Sequence, residues 1–512
     1  MVICDTQRAA QNDSRTADSS ACSRQLTMDR ADDESRHSYT PLLLDDAASD
    51  DAQEEEEQAL PPCVGPAVAV SPTEAPTLSR TLLSLTLPLY APMLLLFIAW
   101  GLVTPVLPLF ALSLGASERG VGVVSSARAF GSVLSILPSG VVIARGGARK
   151  AVLSGAAVYT LACLWGAAAE TLFDIGASRV LAGMGYSLYS CAQQVYVRQV
   201  CPPQFRGRVL ASVGGTYRVG GLIAPLFGGV MAQRLGFRAV FIVQTCISAL
   251  ALPFIALKMQ DRKSSGVDTR AITAGQEPST CEAVEERTLR AFFRQRWREI
   301  ANAWMATILM SMLRSVRDLI IPLAAARAGF SRSKVGFVTA SSYAGDTLLF
   351  PVGGWLMDKK GCWAAGAAAS TIMAAGMLLL STPDLSAGQI WATAIATGTG
   401  NGLSSGIVMA LASNIAPEDH RAGPIIASYN FIAALGGVIG PVTVGAVAGS
   451  HGLDGGAALS TAFAVMSALW WGLLLPRKVP SKAALPRTVS ESELQQRRVD
   501  GDDQLRCERR SY

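Results

Sequence analysis

Six ionisable side chains lie deep inside long apolar stretches of this 512-residue chain, where a charge is costly. Four are arginines and two are aspartates: Arg128, Arg218, Arg314, Arg317, Asp318 and Asp346. An arginine keeps its proton even when it is buried, and its planar guanidinium matches a carboxylate. The excess of arginines therefore predicts a cavity that binds an anion, with these four arginines as the substrate-binding residues.

The two aspartates suit a different task, the gain and loss of a proton. None of the three histidines lies well inside an apolar stretch, so Asp318 and Asp346 are the candidates for proton coupling. A desolvated aspartate beside an arginine can alternate between an ionised, paired form and a protonated, free form. Because Arg314 precedes Asp318 by four residues, the two could pair on one helix face. We therefore expect Asp346 to be the principal coupling residue.

The apolar stretches predict the elements that hold these side chains. Mean hydropathy is +0.32 and only 16% of the residues are charged, which is typical of a membrane protein. The runs are about 20 residues long, enough to cross a bilayer as helices. We count six in each of two blocks: 86–112, 120–143, 151–171, 174–199, 210–232 and 238–257, then 302–325, 334–357, 363–384, 389–413, 423–448 and 457–476. A β-barrel would show alternation of period two, which is absent. The sequence predicts an all-α membrane protein of twelve transmembrane helices.

The two blocks are copies of one unit. A shift of about 214 residues brings matching residues into register: Pro108-Leu109 with Pro322-Leu323, Gly115 with Gly329, Gly122 with Gly336, Gly140 with Gly354 and Arg145 with Lys359. Duplicated hydrophobic units are common in secondary transporters, where the solute site lies between the copies. The deep charges break this symmetry, since Arg128 lies opposite Ser342 and Asp346 lies opposite Ser132.

Polar segments divide the chain further. We expect a disordered acidic tail at 1–83, a six-helix half at 84–258, a central loop at 259–300, a second half at 301–476 and a charged tail at 477–512. Arginines and lysines crowd the central loop, which the positive-inside bias places in the cytoplasm, and an even number of helices then places both termini there.

Part of the central loop and the N-terminal tail carry weaker signals. The basic, aromatic stretch 287–298 could lie on the anionic inner leaflet, or it could be a solvated linker. Tyr39-Thr40-Pro41-Leu42 has the form of a tyrosine sorting signal, which favours the plasma membrane over a vacuolar or endosomal membrane.

Several functional classes receive no support from the sequence. Phosphate-loop patterns, metal-ligand spacings and nucleophile–base clusters are absent from the helices, so we expect no enzyme activity, no metal and no cofactor. The net charge of +5 follows membrane topology and does not indicate nucleic-acid binding. The expected partners are the lipid bilayer and a small, anionic solute, and we expect a monomer.

Four short motifs follow one another in the order found in a known family. The junction of helices 2 and 3 reads Gly140-Val-Val-Ile-Ala144-Arg145-Gly-Gly147-Ala-Arg149-Lys150, and its second copy reads Gly354-Trp-Leu-Met-Asp358-Lys359-Lys360-Gly361. Helix 4 contains Arg179-x-x-x-Gly183-x-Gly185, and helix 5 contains Gly220-Gly221-Leu-Ile-Ala224-Pro225-Leu-Phe-Gly228-Gly229. Over about residues 84–476 the chain resembles the major facilitator superfamily of secondary transporters.

This resemblance implies an alternating-access transporter driven by the proton gradient. It assigns gating roles to Gly140, Arg145, Gly147, Arg149, Arg179, Gly183, Gly220, Pro225, Gly228, Gly229, Gly354, Asp358, Lys359 and Gly361. Ala144 stands where the family's first motif has an aspartate, so the Asp358 copy would carry more of the latch. The helix 5 motif is similar to the signature of the family's proton antiporters, which favours export.

Charge and resemblance together predict a proton-coupled exporter of a small organic anion, either an organic acid or an acidic secondary metabolite. Two alternatives stay open. Trp100, Tyr189, Tyr217 and Tyr343 could line a broader amphipathic pocket, as in a multidrug efflux pump. The long acidic tail could instead belong to a membrane sensor, built on the same fold, that does not transport.

Overall fold

The computed structural model describes residues 83, 85–201, 206–259, 280–382, 385–415 and 422–475, and the regular elements among them are helical. We number the helical crossings of this part of the chain α1 to α12, and a crossing built from two pieces keeps one number. The first half contains α1 (a π-turn at Thr86–Tyr90, then Ala91–Val103 and Val106–Ser113), α2 (Glu118–Gly146), α3 (Ala148–Ala168), α4 (Leu172–Val200), α5 (Arg206–Arg234) and α6 (Phe237–Lys258).

The second half begins with one long helix, Thr280–Arg327, which bends at Arg296 and whose part beyond the bend is α7. It continues with α8 (Arg332–Lys360), α9 (Cys362–Leu379) and α10 (Ala387–Leu403 and Ile407–Ile415). A second long helix, Ala422–Leu469, turns at Gly452 and supplies α11 before the turn and α12 after it, with a π-turn at Trp470–Leu474.

The predicted all-α membrane fold of twelve helices in two halves is confirmed, with differences at the borders. Helical structure begins at Thr280, inside the segment expected to be a loop, and a single residue separates α11 from α12. By length and hydropathy alone, six helical stretches of the described chain could cross a membrane. The other crossings are more polar, carry buried charges or are divided by a turn. The two tails lie outside the described residues, save for Leu83.

The duplication is visible in the backbone as well as in the sequence. Six of the described glycines with positive φ form pairs across the two halves: Gly115 with Gly329, Gly147 with Gly361 and Gly236 with Gly452. Each pair occupies the same turn between consecutive helices, where a side chain would strain the backbone. Ser117 and Ser331, also 214 residues apart, cap α2 and α8 by accepting hydrogen bonds from backbone N–H groups.

The two ends of the bundle are packed differently. We call the end with the turns at Gly115, Gly236, Gly329 and Gly452 the sealed end, because the hydrophobic clusters there contain residues of both halves. At the opposite end, which carries the turns at Gly147 and Gly361, each half has its own core. We call it the open end. Near mid-depth, the Arg218–Asp346 pair and the contact of Arg218 with Phe350 still join the halves.

Glycines let the halves approach at the sealed end. A Cβ on Gly229 of α5 would lie 2.8 Å from the Cα of Gly336 on α8, and one on Gly445 of α11 would lie 2.8 Å from the Cα of Gly122 on α2. Both separations are shorter than real Cβ contacts allow, so each crossing requires glycine. Gly122 and Gly336 are aligned when the two copies are superposed in sequence, and so are Gly229 and Gly445, with a register drift of two residues. The two crossings that close the sealed end are therefore related by the internal symmetry.

The paired glycines of the helix 5 motif face two different neighbours. Cβ atoms on Gly220 and Gly228 would meet α1 at Phe97 and Leu102, within the same half. Gly221 and Gly229 face α8 of the other half instead. Consecutive glycines thus pack α5 against α1 on one side and against α8 on the other. The motif forms a close-packed seam, as expected for small residues in membrane helices.

Candidate functional site

An ion pair joins the two halves near the middle of the bundle. Arg218 of α5 and Asp346 of α8 are 5% and 0% exposed, and the Arg218 Nε lies 3.3 Å from Asp346 Oδ1. The Arg218 guanidinium also donates to the carbonyl of Gly214 at 2.7 Å and lies 4.0 Å from the centre of the Phe350 ring. Each charge is shielded from water and balanced by the other, so the loss of one leaves the second uncompensated.

The second half supplies a side-chain amide to this pair and holds a further arginine, Arg314. Asn401 of α10 donates from Nδ2 to the free oxygen of Asp346 at 2.6 Å, while its own Oδ1 is buried without a partner. Arg314 of α7 donates to the carbonyl of Ser404 at 2.6 Å and to its hydroxyl at 3.1 Å. Arg314 Nε is buried without a partner, so this arginine retains hydrogen-bonding capacity.

Asp318 pairs with its neighbour Arg317. The pair between Arg314 and Asp318 that helical spacing suggested is therefore wrong. The Arg317 guanidinium bends along α7 and donates to Asp318 Oδ1 at 3.1 Å and 3.2 Å. Tyr343 of α8 donates its hydroxyl to the same oxygen at 3.3 Å, and its ring lies 4.7 Å from the guanidinium. Arg314 is unavailable because its guanidinium is turned toward α10.

Arg128 of α2 is held by aromatic rings. Its guanidinium lies 5.7 Å from the ring of Trp100 and 5.3 Å from that of Tyr186, and it makes no ion pair with a carboxylate of the described chain. Trp100 stacks on Tyr217 at 5.4 Å and meets Tyr343 edge-on at 6.1 Å. Three of the four predicted aromatics therefore surround the charged residues.

A cavity of about 80 Å³ lies beside Arg128, between the ion pairs and the sealed end. Its charged lining residues are Arg128, Arg179 and Asp318. Arg179 of α4, expected to act in gating, is 4% exposed, and its Nε and Nη2 are buried without partners. The structure thus places Arg179 beside the predicted substrate residues.

The balance of charge in this region is positive. Arg128, Arg179, Arg218, Arg314 and Arg317 face the interior together with two aspartates, which leaves an excess of three positive charges. Buried arginines stay protonated, so the excess persists at any physiological pH. An anion bound between the halves would offset part of it. The described residues contain no group of three potential metal ligands.

The predicted gating residues at the open end contact their own half. Arg149 of α3 donates to the carbonyl of Ala256 on α6 at 2.6 Å, and Lys359 lies 4.8 Å from the ring of Trp355. Arg145 and Asp358 are exposed, and a Cβ on Gly140 or Gly354 would meet nothing within 4 Å. Positive φ angles at Gly147 and Gly361 form the turns that follow these helices. Bridges to the opposite half are absent from the described part of this end.

At the remaining motif positions the structure shows close packing. A Cβ on Gly183 of α4 would lie 1.9 Å from the carbonyl oxygen of Arg128, so this glycine fixes α4 against the backbone that carries Arg128. Pro225 lies inside α5, and its carbonyl oxygen is 2.6 Å from a Cβ placed on Gly336. The contacts support structural roles for both residues near the site.

Some site residues were missed from the sequence. Asn401 lies inside a predicted apolar run, where a side-chain amide is unusual, so its type was a usable signal. Tyr186, Phe350 and Ser404 carried no such signal, because aromatic and hydroxyl residues are common in membrane helices. Tyr189, expected in the pocket, is instead buried in the core of the first half.

Replacement of Arg218 by Met should destabilise the protein by about 3–5 kcal/mol, because it leaves the buried Asp346 without its cation. The double variant Arg218→Met/Asp346→Asn should recover most of that loss, since it removes both charges. Unfolding temperatures of the purified protein in detergent would measure both effects. Equal destabilisation by the single and double variants would show that the pair is not coupled.

The chain resembles known proteins over most of its length. A sequence profile described as Major Facilitator Superfamily matches residues 91–441 and, in a second, overlapping match, 304–499. An uncharacterized MFS-type transporter of Methanocaldococcus jannaschii is 22% identical over 370 residues, which cover 72% of this chain and 92% of that protein. An MFS-type efflux pump of Mycolicibacterium smegmatis is 28% identical over 154 residues, 29% of this chain and 35% of the pump. The crystal structure of a D-xylose-proton symporter superposes with a TM-score of 0.65 at 16% identity, covering 78% of this chain and 100% of the symporter. That last likeness concerns the fold alone.

Proposed function

We propose, from the premise that the chain belongs to the Major Facilitator Superfamily, that it exports a small organic anion in a proton-coupled cycle of alternating access. Members of this family are multi-pass membrane transporters of small molecules rather than enzymes. The excess of buried arginines over aspartates between the halves carries the proposal. A carboxylate is the simplest ligand for such a site, because a guanidinium binds its two oxygens in parallel.

The open end faces the cytoplasm in this proposal. The arginines and lysines of the central segment support that orientation, since basic loops stay on the cytoplasmic side. The structure then corresponds to the inward-facing state, in which the ion pair between Arg218 and Asp346 lies at the closed floor of the access path. A cytoplasmic anion could approach Arg314 and Arg218 from this side.

Asp346 couples a proton to the anion through Arg218. While Asp346 is ionised it neutralises Arg218, and the site attracts an anion weakly. Protonation of Asp346 removes the negative charge and leaves the guanidinium free to bind a carboxylate. Proton and anion then favour each other's binding and cross together, because the charge that each brings offsets the charge of the other. Export by this joint route is driven by the outward concentration gradient of the anion itself, and the proton follows.

Exchange of a proton for the solute is the alternative that the helix 5 motif favours, through its similarity to proton antiporters. Exchange requires the two ligands to compete, whereas the pair between Arg218 and Asp346 favours joint binding. The relative named as an efflux pump supports export in either scheme.

A broad-range multidrug pump is the second candidate, and the aromatic cluster of Trp100, Tyr217 and Tyr343 supports it. Charge disfavours it for cations, because the described helices of the first half contain no carboxylate away from the sealed end. The candidates differ in the sign of the solute that they would carry.

Cells lacking the gene should separate these candidates. We expect them to accumulate one or a few acidic metabolites inside and to release less of them to the medium, while their sensitivity to a lipophilic cation such as ethidium is unchanged. Mass spectrometry of cell extracts and medium measures the first effect, and growth in ethidium measures the second. Unchanged acids together with greater ethidium sensitivity would favour the multidrug pump.

A further inference from the structure

We propose that Arg179 and Arg128 form a second anion-binding subsite, on the sealed side of the Arg218–Asp346 pair, for a monovalent anion no larger than a small carboxylate. The inference depends on the proposed function in one respect, namely that the bound anion is part of a transported solute. A resident inorganic anion such as chloride would use the same positive charge. The subsite lies in the cavity between α1, α2, α4, α7 and α11.

Arg179 is a buried cation without a counter-charge of its own. It is 4% exposed and packs against the ring of Phe241 at 5.4 Å, and two of its nitrogens, Nε and Nη2, are buried without hydrogen-bond partners. An uncompensated buried charge is strongly unfavourable, and unmade hydrogen bonds add to that cost. Nη2 lies on the side of α3, 3.0 Å from where a Cβ on Gly166 would be. An anion in the adjoining cavity would offset the charge of the guanidinium.

The acidic residues in the described part of the first half interact with groups other than Arg179. Its described part contains three carboxylates, all near the sealed end: Glu118, Glu170 and Asp174. Glu118 pairs with Arg327 of α7, and Glu170 pairs with Arg238. Asp174 accepts hydrogen bonds from Thr171 at the start of α4. A protein carboxylate to neutralise Arg179 is therefore absent from the described first half.

Asp318 is the acidic residue that lines the cavity from the second half, and its charge is already offset. Arg317 and Tyr343 both donate to its Oδ1. Arg128, Arg179 and Asp318 line the cavity, and Arg317 contacts Asp318. Together these four side chains carry an excess of two positive charges. An anion is favoured there, although Asp318 limits how closely it can approach α7.

Arg128 and Ser125 complete the donors. The rings of Trp100 and Tyr186 lie near the guanidinium of Arg128, and its N–H groups have no carboxylate partner in the described chain. Ser125, one turn earlier on α2, has a buried hydroxyl without a partner and lines the same cavity. A water molecule needs about 10–15 Å³ of such space, so a cavity of about 80 Å³ admits a chloride or a carboxylate group with a few waters.

The position of the subsite suggests its use in transport. An anion that entered at the open end would first meet Arg314 and Arg218, and Arg128 and Arg179 lie beyond them toward the sealed end. When the sealed end opens, these two arginines would be the last cationic contacts before release. The subsite is thus a second anion-binding site on the path through the bundle.

Thermal unfolding of the purified protein in detergent tests the subsite without any flux measurement. In sodium gluconate, whose anion is too large for the cavity, added chloride, formate or acetate should raise the unfolding temperature of the wild type saturably. Arg179→Gln and Arg128→Gln should abolish the rise, and Arg234→Gln, an exposed arginine at the sealed end, should keep it. A response to chloride alone assigns a resident inorganic anion, and a response to the carboxylates assigns a solute subsite.

A variant that is expected to gain stability provides a test if the arginine variants fold poorly. Ser125→Asp places a tethered carboxylate in the cavity, so it should raise the unfolding temperature in gluconate and remove the response to added anions. The inference is overturned if none of the three anions acts saturably on the wild type, or if Arg179→Gln responds as the wild type does. Failure of anion flux in vesicles would overturn the proposed function instead and would leave this binding result intact.

Discussion

Asp346→Asn is expected to make transport indifferent to the pH gradient while solute binding persists. The amide mimics the protonated carboxyl, so Arg218 stays free for the anion but no proton can be carried. When one proton accompanies each anion, a gradient of one pH unit can drive about a tenfold accumulation in the wild type. The variant should accumulate nothing above equilibrium. Initial rates in proteoliposomes, with and without the gradient, would measure the difference for the acid identified in cells lacking the gene.

Asp318→Asn is the matched control for that experiment. Its carboxylate is also deep in the bundle, but it pairs with Arg317 of its own helix and does not join the halves. We expect the control to retain most of the response to the pH gradient. Gradient-driven accumulation by Asp346→Asn at the wild-type level would remove Asp346 from the coupling mechanism.

Gly229→Val and Gly122→Val are each expected to hold the sealed end apart. A Cβ at Gly229 would lie 2.7 Å from the Arg332 carbonyl oxygen, and one at Gly122 would lie 2.5 Å from that of Pro441. Overpacking of this kind costs about 1–3 kcal/mol, and about 1.4 kcal/mol shifts a two-state equilibrium tenfold. Either variant should therefore favour the conformation that is open at this end and should slow transport.

Spin-label distances across the sealed end would report that shift. Labels on Leu235→Cys and Lys334→Cys lie at exposed positions of opposite halves, so their separation should increase in the valine variants. Gly176→Val is the control, because a Cβ at Gly176 meets nothing within 4 Å. An unchanged distance in both Gly229→Val and Gly122→Val would contradict the role of these crossings in sealing.

The sequence predicted the architecture well because membrane helices have simple requirements. Apolar runs of about 20 residues revealed twelve helices, and the repeat of turn glycines such as Gly147 and Gly361 revealed the duplication. The ends of the helices were predicted less accurately. Helical structure extends back to Thr280 because a polar, charged stretch can form a helix outside the membrane without any apolar signal.

The deep charges could be found from the sequence, but their partners could not. Helical spacing suggested that Asp318 would pair with Arg314, whereas the side chain of Arg317 bends toward Asp318 and Arg314 reaches Ser404 on α10. Such choices depend on neighbouring helices, which spacing along one helix does not describe. Arg179 illustrates the same limit, because its motif suggested gating and its surroundings suggest ligand binding.

Joint transport of proton and anion is tested most directly by measuring the movement of protons with the solute. Purified protein is reconstituted into vesicles containing the pH dye pyranine, with the membrane potential clamped by valinomycin and equal potassium, and the identified acid is added outside. If proton and anion move together, the lumen acidifies as the anion enters, faster than in protein-free vesicles, and Asp346→Asn abolishes the difference. Entry of the anion with no change in luminal pH, or with alkalinisation, would contradict joint movement of proton and anion.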